Sequence, residues 1–228
     1  MKPIIGIIEW PYYDKDNDKI YEVMSDVVNW VNKSGGIPVG IFPTQVEDFV
    51  SKKVSDIDSM NADEADDLLS SIDRCDAIIK PGALRIYNHE RLIHEYTVQK
   101  NMPYLGICAG MQIMAAYHYP QENIKNETFV NHRNRHNVRI YHNTLLEKII
   151  NKECISVISR HNYHIFSEGI NKVAAVAEDG IIEAIENPNC SFNLGVQWHP
   201  ELEDFDNVNS QNIFGELIEQ AKTYSKRK

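Results

Sequence analysis

Up to residue 120 the chain alternates short β-branched runs with stretches of helical periodicity. Pro3 to Ile8 reads as a first strand, an apolar run of the length a buried strand needs. From Ile20 to Val31 the apolar residues Ile20, Val23, Met24, Val27, Val28 and Val31 recur three and four apart, which lays them on one face of a helix. The SGG at 34–36 ends that helix, because glycine takes the left-handed conformation of a C-terminal cap without steric cost. IPVGIF at 37–42, Asp76 to Lys80 and PYLGI at 103–107 follow as strands, each reached through a helical segment. Gly110 to His118 is expected to be the helix after the fourth strand. Strands and helices that alternate in this way build a parallel sheet with helices on its faces.

The second half has a different rhythm. Short runs at Asn137 to Tyr141, Ile155 to Ser159, Val173 to Ala177, Ile181 to Ile185 and Phe192 to Val196 are separated by turn signals such as EDG at 178–180 and ENPN at 186–189. These read as antiparallel strands and hairpins added to the sheet. Val208 to Tyr224 is expected as a closing helix, with Ile213, Phe214, Leu217 and Ile218 on its inner face. The fold class is therefore α/β, an open and mostly parallel sheet with flanking helices and added antiparallel strands. No repeat, proline-rich linker or low-complexity tract breaks the 228 residues, so one domain over 1–228 is expected. The acidic stretch DIDSMNADEADDLLSSID at 56–73 lacks the central glycine and terminal glutamate of a calcium loop and reads as a solvated helix face.

Composition narrows the partners. A formal net charge of −10 argues against nucleic acid, whose phosphates require clustered lysine and arginine. No apolar run approaches the ~20 residues of a membrane span, and the opening MKPIIGIIEW lacks the features of a signal peptide, so a cytoplasmic protein is expected. Cys75, Cys108, Cys154 and Cys190 lie far apart in no disulfide or metal pattern, and reduced thiols are expected.

One of them stands in a distinctive place. In LGICAGMQ at 105–112, Gly106 and Gly110 flank Cys108 at the spacing of the elbow that holds a nucleophile on a sharp strand-to-helix turn. The unpaired N–H groups and dipole of a helix N-terminus favour a thiolate there. The same donors, beginning with the N–H of Ala109, would face an oxyanion formed on attack at a carbonyl. A buried, inert cysteine in a tight turn is the alternative. A nucleophile also needs a base, and the base an orienting group. WHPE at 198–201 offers both, because Pro200 biases His199 toward extended geometry and residues two apart on an extended chain point the same way, as His199 and Glu201 would.

GICAGMQ and GVQWHPE together resemble the class I glutamine amidotransferase superfamily. IIGI near the start, SGGIPVGIFP, IKPGALRIY, HRNRHNVRIYHNTLLEKI and VISRHNYH are similar to its γ-glutamyl-γ-aminobutyrate hydrolase branch, peptidase family C26. The resemblance implies a flavodoxin-like α/β fold with Cys108 as nucleophile, His199 as base and Glu201 as orienting acid. It implies an oxyanion hole formed by Ala109 and by a backbone N–H of the PGG-type turn, at Gly82 or Ala83. It further implies that Gln112, the glutamine of the CxGxQ pattern, and His161 border the substrate. Three departures stand out. The chain has PGA where two glycines are usual, Ala109 where arginine often follows the nucleophile, and SRHNYH in place of NSxHHQ. The implied reaction is hydrolysis of a γ-glutamyl amide, such as γ-glutamyl-γ-aminobutyrate, through a γ-glutamyl thioester, releasing glutamate and an amine and requiring no cofactor. The expected partner is that small molecule, and a homodimer is left open. The alternatives are a glutaminase subunit supplying ammonia to a separate synthetase and a non-catalytic binding protein on the same fold.

Other residues carry weaker signals. His132 and His136, four apart and joined by His161 or His164, have the makings of a zinc site. Their surroundings, NHRNRHN, show no helical periodicity and bring two arginines close, so no metal is expected. Arg133 and Arg135 are instead candidates for a substrate carboxylate. Trp10, Tyr12 and Tyr13 follow the first strand, where ligands approach an open sheet, and either shape a pocket or simply pack.

Overall fold

The computed structural model describes residues 1–45, 48, 50, 60–115, 122–123 and 130–228. From the N-terminus its elements are β1 (Ile4–Ile8), β2 (Trp10–Tyr13), β3 (Lys19–Glu22), α1 (Ser25–Ser34), β4 (Ile37–Ile41), α2 (Ala62–Ile72) and β5 (Ala77–Lys80). Next come α3 (Asn88–Lys100), β6 (Tyr104–Ile107), α4 (Ala109–Ala115), β7 (Glu122–Asn123), β8 (Arg135–Ile140), α5 (Leu145–Ile150) and β9 (Cys154–Ile158). The chain finishes with β10 (Tyr163–His164), β11 (Lys172–Ala177), β12 (Ile182–Glu186), β13 (Asn193–Val196) and α6 (Val208–Ser225).

Nine strands form one sheet in the order β4-β1-β5-β6-β13-β12-β11-β8-β9. The first five run parallel and the rest pair antiparallel. Strands β5, β6 and β13 are buried at every position, as expected where helices cover both faces. On one face α1, α5 and α6 bury Val27, Trp30, Val31, Leu146, Ile150, Phe214 and Leu217, and on the other α2, α3 and α4 bury Leu68, Ile72, Ile93, Met111 and Met114. Each such side chain contributes about 1.5–3 kcal/mol through burial. The three-layer arrangement leaves the C-terminal ends of β1, β5, β6 and β13 open as a crevice, the usual ligand position in an open α/β sheet.

Three expectations need correction. The helix drawn from Ile20 starts at Ser25, and Ile20 lies in β3, paired with Tyr12 of β2. Asp14 accepts backbone N–H groups of Asp16 and Asp18, and Asn17 takes a positive φ of 63°, so a tight turn closes a hairpin there. Val23 and Met24 still pack on the core from outside the helix, which explains why the periodicity misled. The run ending at Val196 is not wholly antiparallel, because β13 lies parallel to β6 and antiparallel to β12 and so joins the two parts of the sheet. Finally, α5 was not anticipated. It is capped by Thr144, and Glu186 accepts the N–H groups of Leu145 and Leu146.

Other expectations hold. Gly35, at φ 97°, closes α1. Part of the acidic stretch forms α2, started by a reciprocal cap between Asn61 and Glu64, while residues 56–59 lie outside the described residues. The helix after β6 is described from Ala109 to Ala115, and residues 116–118 fall outside. Among the described residues no helix is long and apolar enough to cross a membrane.

Candidate active site

Cys108 joins β6 to α4 in the left-handed conformation, at φ 53°. A non-glycine residue pays about 1–3 kcal/mol to sit there. The two flanking glycines let the chain do so. A Cβ on Gly106 would lie 2.5 Å from the carbonyl of Gly110, and one on Gly110 would collide with the carbonyl oxygen of Lys80. The N–H of Cys108 donates to the carbonyl of Val196 at 2.8 Å, tying the elbow to β13. Ala109 is the first residue of α4, where backbone N–H groups have no partner within the helix.

Strand β13 brings the second motif alongside. Val196 pairs with Ile107, so the two chains leave the sheet at the same level. His199 then anchors its N–H on the carbonyl of Ile158, and its Nδ1 lies 2.7 Å from Oε1 of Glu201. The turn at Pro200–Leu202 is held from below. Trp30 of α1 donates its indole N–H to the carbonyl of Glu201, and Ser210 of α6 donates its hydroxyl to the carbonyl of Pro200. Cys108 lies beside the imidazole, both side chains meeting the space above Gly82. Burial disfavours the ring's charge, but the carboxylate of Glu201 and the neighbouring Cys108 outweigh this and raise the His199 pKa to about 10. Cys108, His199 and Glu201 are therefore brought together in the predicted order.

The PGA turn retains the glycine that the geometry requires. A Cβ at Gly82 would come within 2.9 Å of His199 Cε1 and 3.3 Å of Cys108 Cβ. Ala83 replaces the second glycine and lines a cleft beside Cys108. The opposite wall is residues 160–163. Gln112 also lines the cleft, but its amide donates to the carbonyl of Tyr163 and to Oε1 of Gln197, bracing that wall. His161 contributes a ring face, with Nδ1 turned to the Tyr163 carbonyl and Nε2 to Glu183. Arg135 is paired through both guanidinium nitrogens with Glu203, Arg133 donates to Asn162, and neither arginine lines the cleft. Trp10, Tyr12 and Tyr13 line a neighbouring hollow that shares Leu84 and Arg85 with the cleft.

Sequence reasoning missed several contributors. Arg160 lies in the cleft with an exposed side chain and no ion pair among the described residues; the signal was its place in the variable position of the NSxHHQ-like stretch. Behind the elbow, Lys80 and Glu90 form a fully buried pair at 2.7 Å. Glu90 also accepts the N–H of Tyr87, fixing the start of α3. Nearby, burial raises the Glu9 carboxyl to about 8 and lowers the His89 imidazole to about 3, so both are neutral at pH 7. A lysine ending the apolar strand AIIK was the available clue to this support. His132, His136 and His161 gather around Glu183, while His164 bonds only locally to the carbonyl of Ile165.

The family model described as Peptidase C26 matches residues 3–201. A glutamine amidotransferase-like protein of Rickettsia prowazekii is 26% identical, covering 97% of this chain and 98% of its own. The CTP synthase of Mycoplasmopsis pulmonis is 27% identical over 68% of this chain, which spans only 36% of that longer protein. Among solved structures, the glutaminase domain of Trypanosoma brucei CTPS with bound acivicin superposes with a TM-score of 0.68 at 18% identity, covering 97% of this chain and 94% of its own. A glutamine amidotransferase from Thermotoga maritima gives a TM-score of 0.59 at 12% identity, covering 100% and 93%. These likenesses bear out the flavodoxin-type α/β fold.

Proposed function

Because the chain belongs to the peptidase C26 family, hydrolases of amide bonds, we propose that it cleaves a γ-glutamyl amide through a thioester on Cys108. The observation that carries this reading is the imidazole of His199, bonded to Glu201 and set beside Cys108, above a turn where a Cβ at Gly82 would press on both. The thiolate of Cys108 attacks the side-chain amide carbonyl. The oxyanion takes hydrogen bonds from the N–H of Ala109 and from the Gly82–Ala83 turn, each typically worth roughly 10²–10³ in rate. The imidazolium of His199 passes its proton to the departing amine as the C–N bond breaks. Water then enters, His199 removes its proton, and the thioester yields glutamate and the free thiol. Glu201 holds the tautomer and stabilises the imidazolium throughout.

The substrate is a γ-glutamyl amide of the γ-glutamyl-γ-aminobutyrate kind. The cation of Arg160 suits one of its carboxylates, and the departure from HHQ to HNY beside it changes the wall that meets the amine half. A panel of γ-glutamyl amides followed by mass spectrometry should show release of glutamate that falls at least ~10³-fold in Cys108→Ala. An intact protein inert toward the whole panel overturns the substrate class.

The likeness to CTP synthases favours one second reading, a glutaminase that feeds ammonia to a separate synthetase. Glutamine hydrolysis that rises only on adding a partner enzyme would select it.

A further inference from the structure

The geometry points to a second site, a divalent metal centre of the zinc type in which His132, His136 and Glu183 are ligands and His161 supplies the fourth. It shares His161 with the wall of the Cys108 cleft but does not depend on the proposed reaction.

Three imidazole rings crowd one carboxylate oxygen, Glu183 Oε1. His132 places Nδ1 3.0 Å from Glu183 Oε1 and Nε2 2.9 Å from Asp179 Oδ2. His136 places Nδ1 against the carbonyl of Asn134 and Nε2 3.1 Å from the same Glu183 oxygen. His161 places Nδ1 3.0 Å from the carbonyl of Tyr163 and Nε2 3.4 Å from that oxygen again. All six ring nitrogens thus face oxygen atoms. A carbonyl only accepts, so the outward nitrogens of His136 and His161 must carry their protons. A neutral imidazole then has a bare lone pair on the inward nitrogen, aimed at a carboxylate. That contact is repulsive unless a cation stands between.

One divalent ion with three neutral rings balances the two carboxylates, Glu183 and Asp179. Consistent with this, His161 Nε2 and Glu183 Oε2 have no hydrogen-bond partner among the described residues although their residues are 3% and 0% exposed.

The distances to the carboxylate fit. Bonds of about 2.0–2.1 Å in a tetrahedron separate the ligand atoms by about 3.3 Å. The inward nitrogens stand 3.0, 3.1 and 3.4 Å from the carboxylate oxygen. The ligand atoms of His132, His136 and Glu183 lie within 4.8 Å of one another, so the widest pair draws in to about 3.3 Å when one ion takes all three. Each outward nitrogen is held by a carboxylate or a carbonyl, the arrangement that orients histidines on a metal. The two arginines that argued against an ion have partners outside the cluster, Arg133 in Asn162 and Arg135 in Glu203. With all four positions taken by protein the centre is closed, so its role is to pin residue 161 and the cleft wall to β8 and β12.

Chelator-stripped protein titrated with Zn²⁺, and in parallel with Co²⁺ for its visible absorption, should bind one equivalent, with the band pattern of a tetrahedral nitrogen and oxygen site. Cys108→Ala should bind as wild type does. His136→Ala, at the rim of the cluster, should weaken binding at least roughly 100-fold, and Asp179→Asn about 10–100-fold. Asp179→Asn carries the test if His136→Ala does not fold. The proposal is overturned if wild type binds no single equivalent below micromolar concentrations, if both rim variants bind unchanged, or if binding disappears in Cys108→Ala.

Discussion

Two buried carboxylates in this protein receive histidines in opposite ways. Glu201 takes one imidazole, whose other nitrogen is turned to a sulfur atom on a strained elbow. Glu183 takes three, whose other nitrogens are all committed to protein oxygens. The first arrangement leaves a proton free to travel between partners, whereas the second leaves none, because every ring is anchored at both ends. Residues of the same types therefore support chemistry in one place and cohesion in the other, according to where the second nitrogen points.

Substitutions can break this contrast. Glu201→Gln should cut turnover by roughly 10³–10⁴-fold, because the amide no longer enforces the tautomer or stabilises the imidazolium. Its stability should show a matching pH signature. His199, raised to about 10, contributes stability in full below the ordinary histidine value near 6.5 and loses it as pH rises through about 10. Denaturant melts of wild type and Glu201→Gln should thus converge above that pH, and a gap that stays constant would remove the ion pair from the account. Glu183→Gln should do the reverse, lowering stability by about 3 kcal/mol by removing the buried carboxylate on which three rings converge, while turnover measured well below the melting temperature falls far less than in Glu201→Gln. Equal effects of the two changes on turnover would erase the distinction. Gly82→Ala is the mildest. Its methyl group would press on His199 Cε1 at 2.9 Å, so about a tenfold loss of kcat with little change in melting temperature is expected.

Much of the candidate site was legible because its constraints are local. A positive φ with glycines two residues either side of a cysteine, and a histidine and glutamate two apart across a proline, each declare their geometry within a few residues. The parallel half of the sheet was readable for the same reason, from alternating runs. The hairpin over Trp10–Glu22 was hidden because Ile20 continues the helical spacing of the segment that follows it. The partners of Gln112, the pairing of Arg135 with Glu203 and the support by Trp30 were invisible, since each joins residues far apart in sequence.

The sequence by itself determined the nucleophile elbow, the His-Pro-Glu turn and the parallel core, since backbone strain and side-chain spacing act over one or two turns of chain. Only the tertiary structure decided that β13 lies beside β6 with Val196 opposite Ile107, which sets His199 against Cys108. It likewise decided that three histidines from two distant segments meet Glu183, because strand register, fixed by hydrogen bonds between distant residues and by burial on both faces of the sheet, chooses which side chains share a point in space.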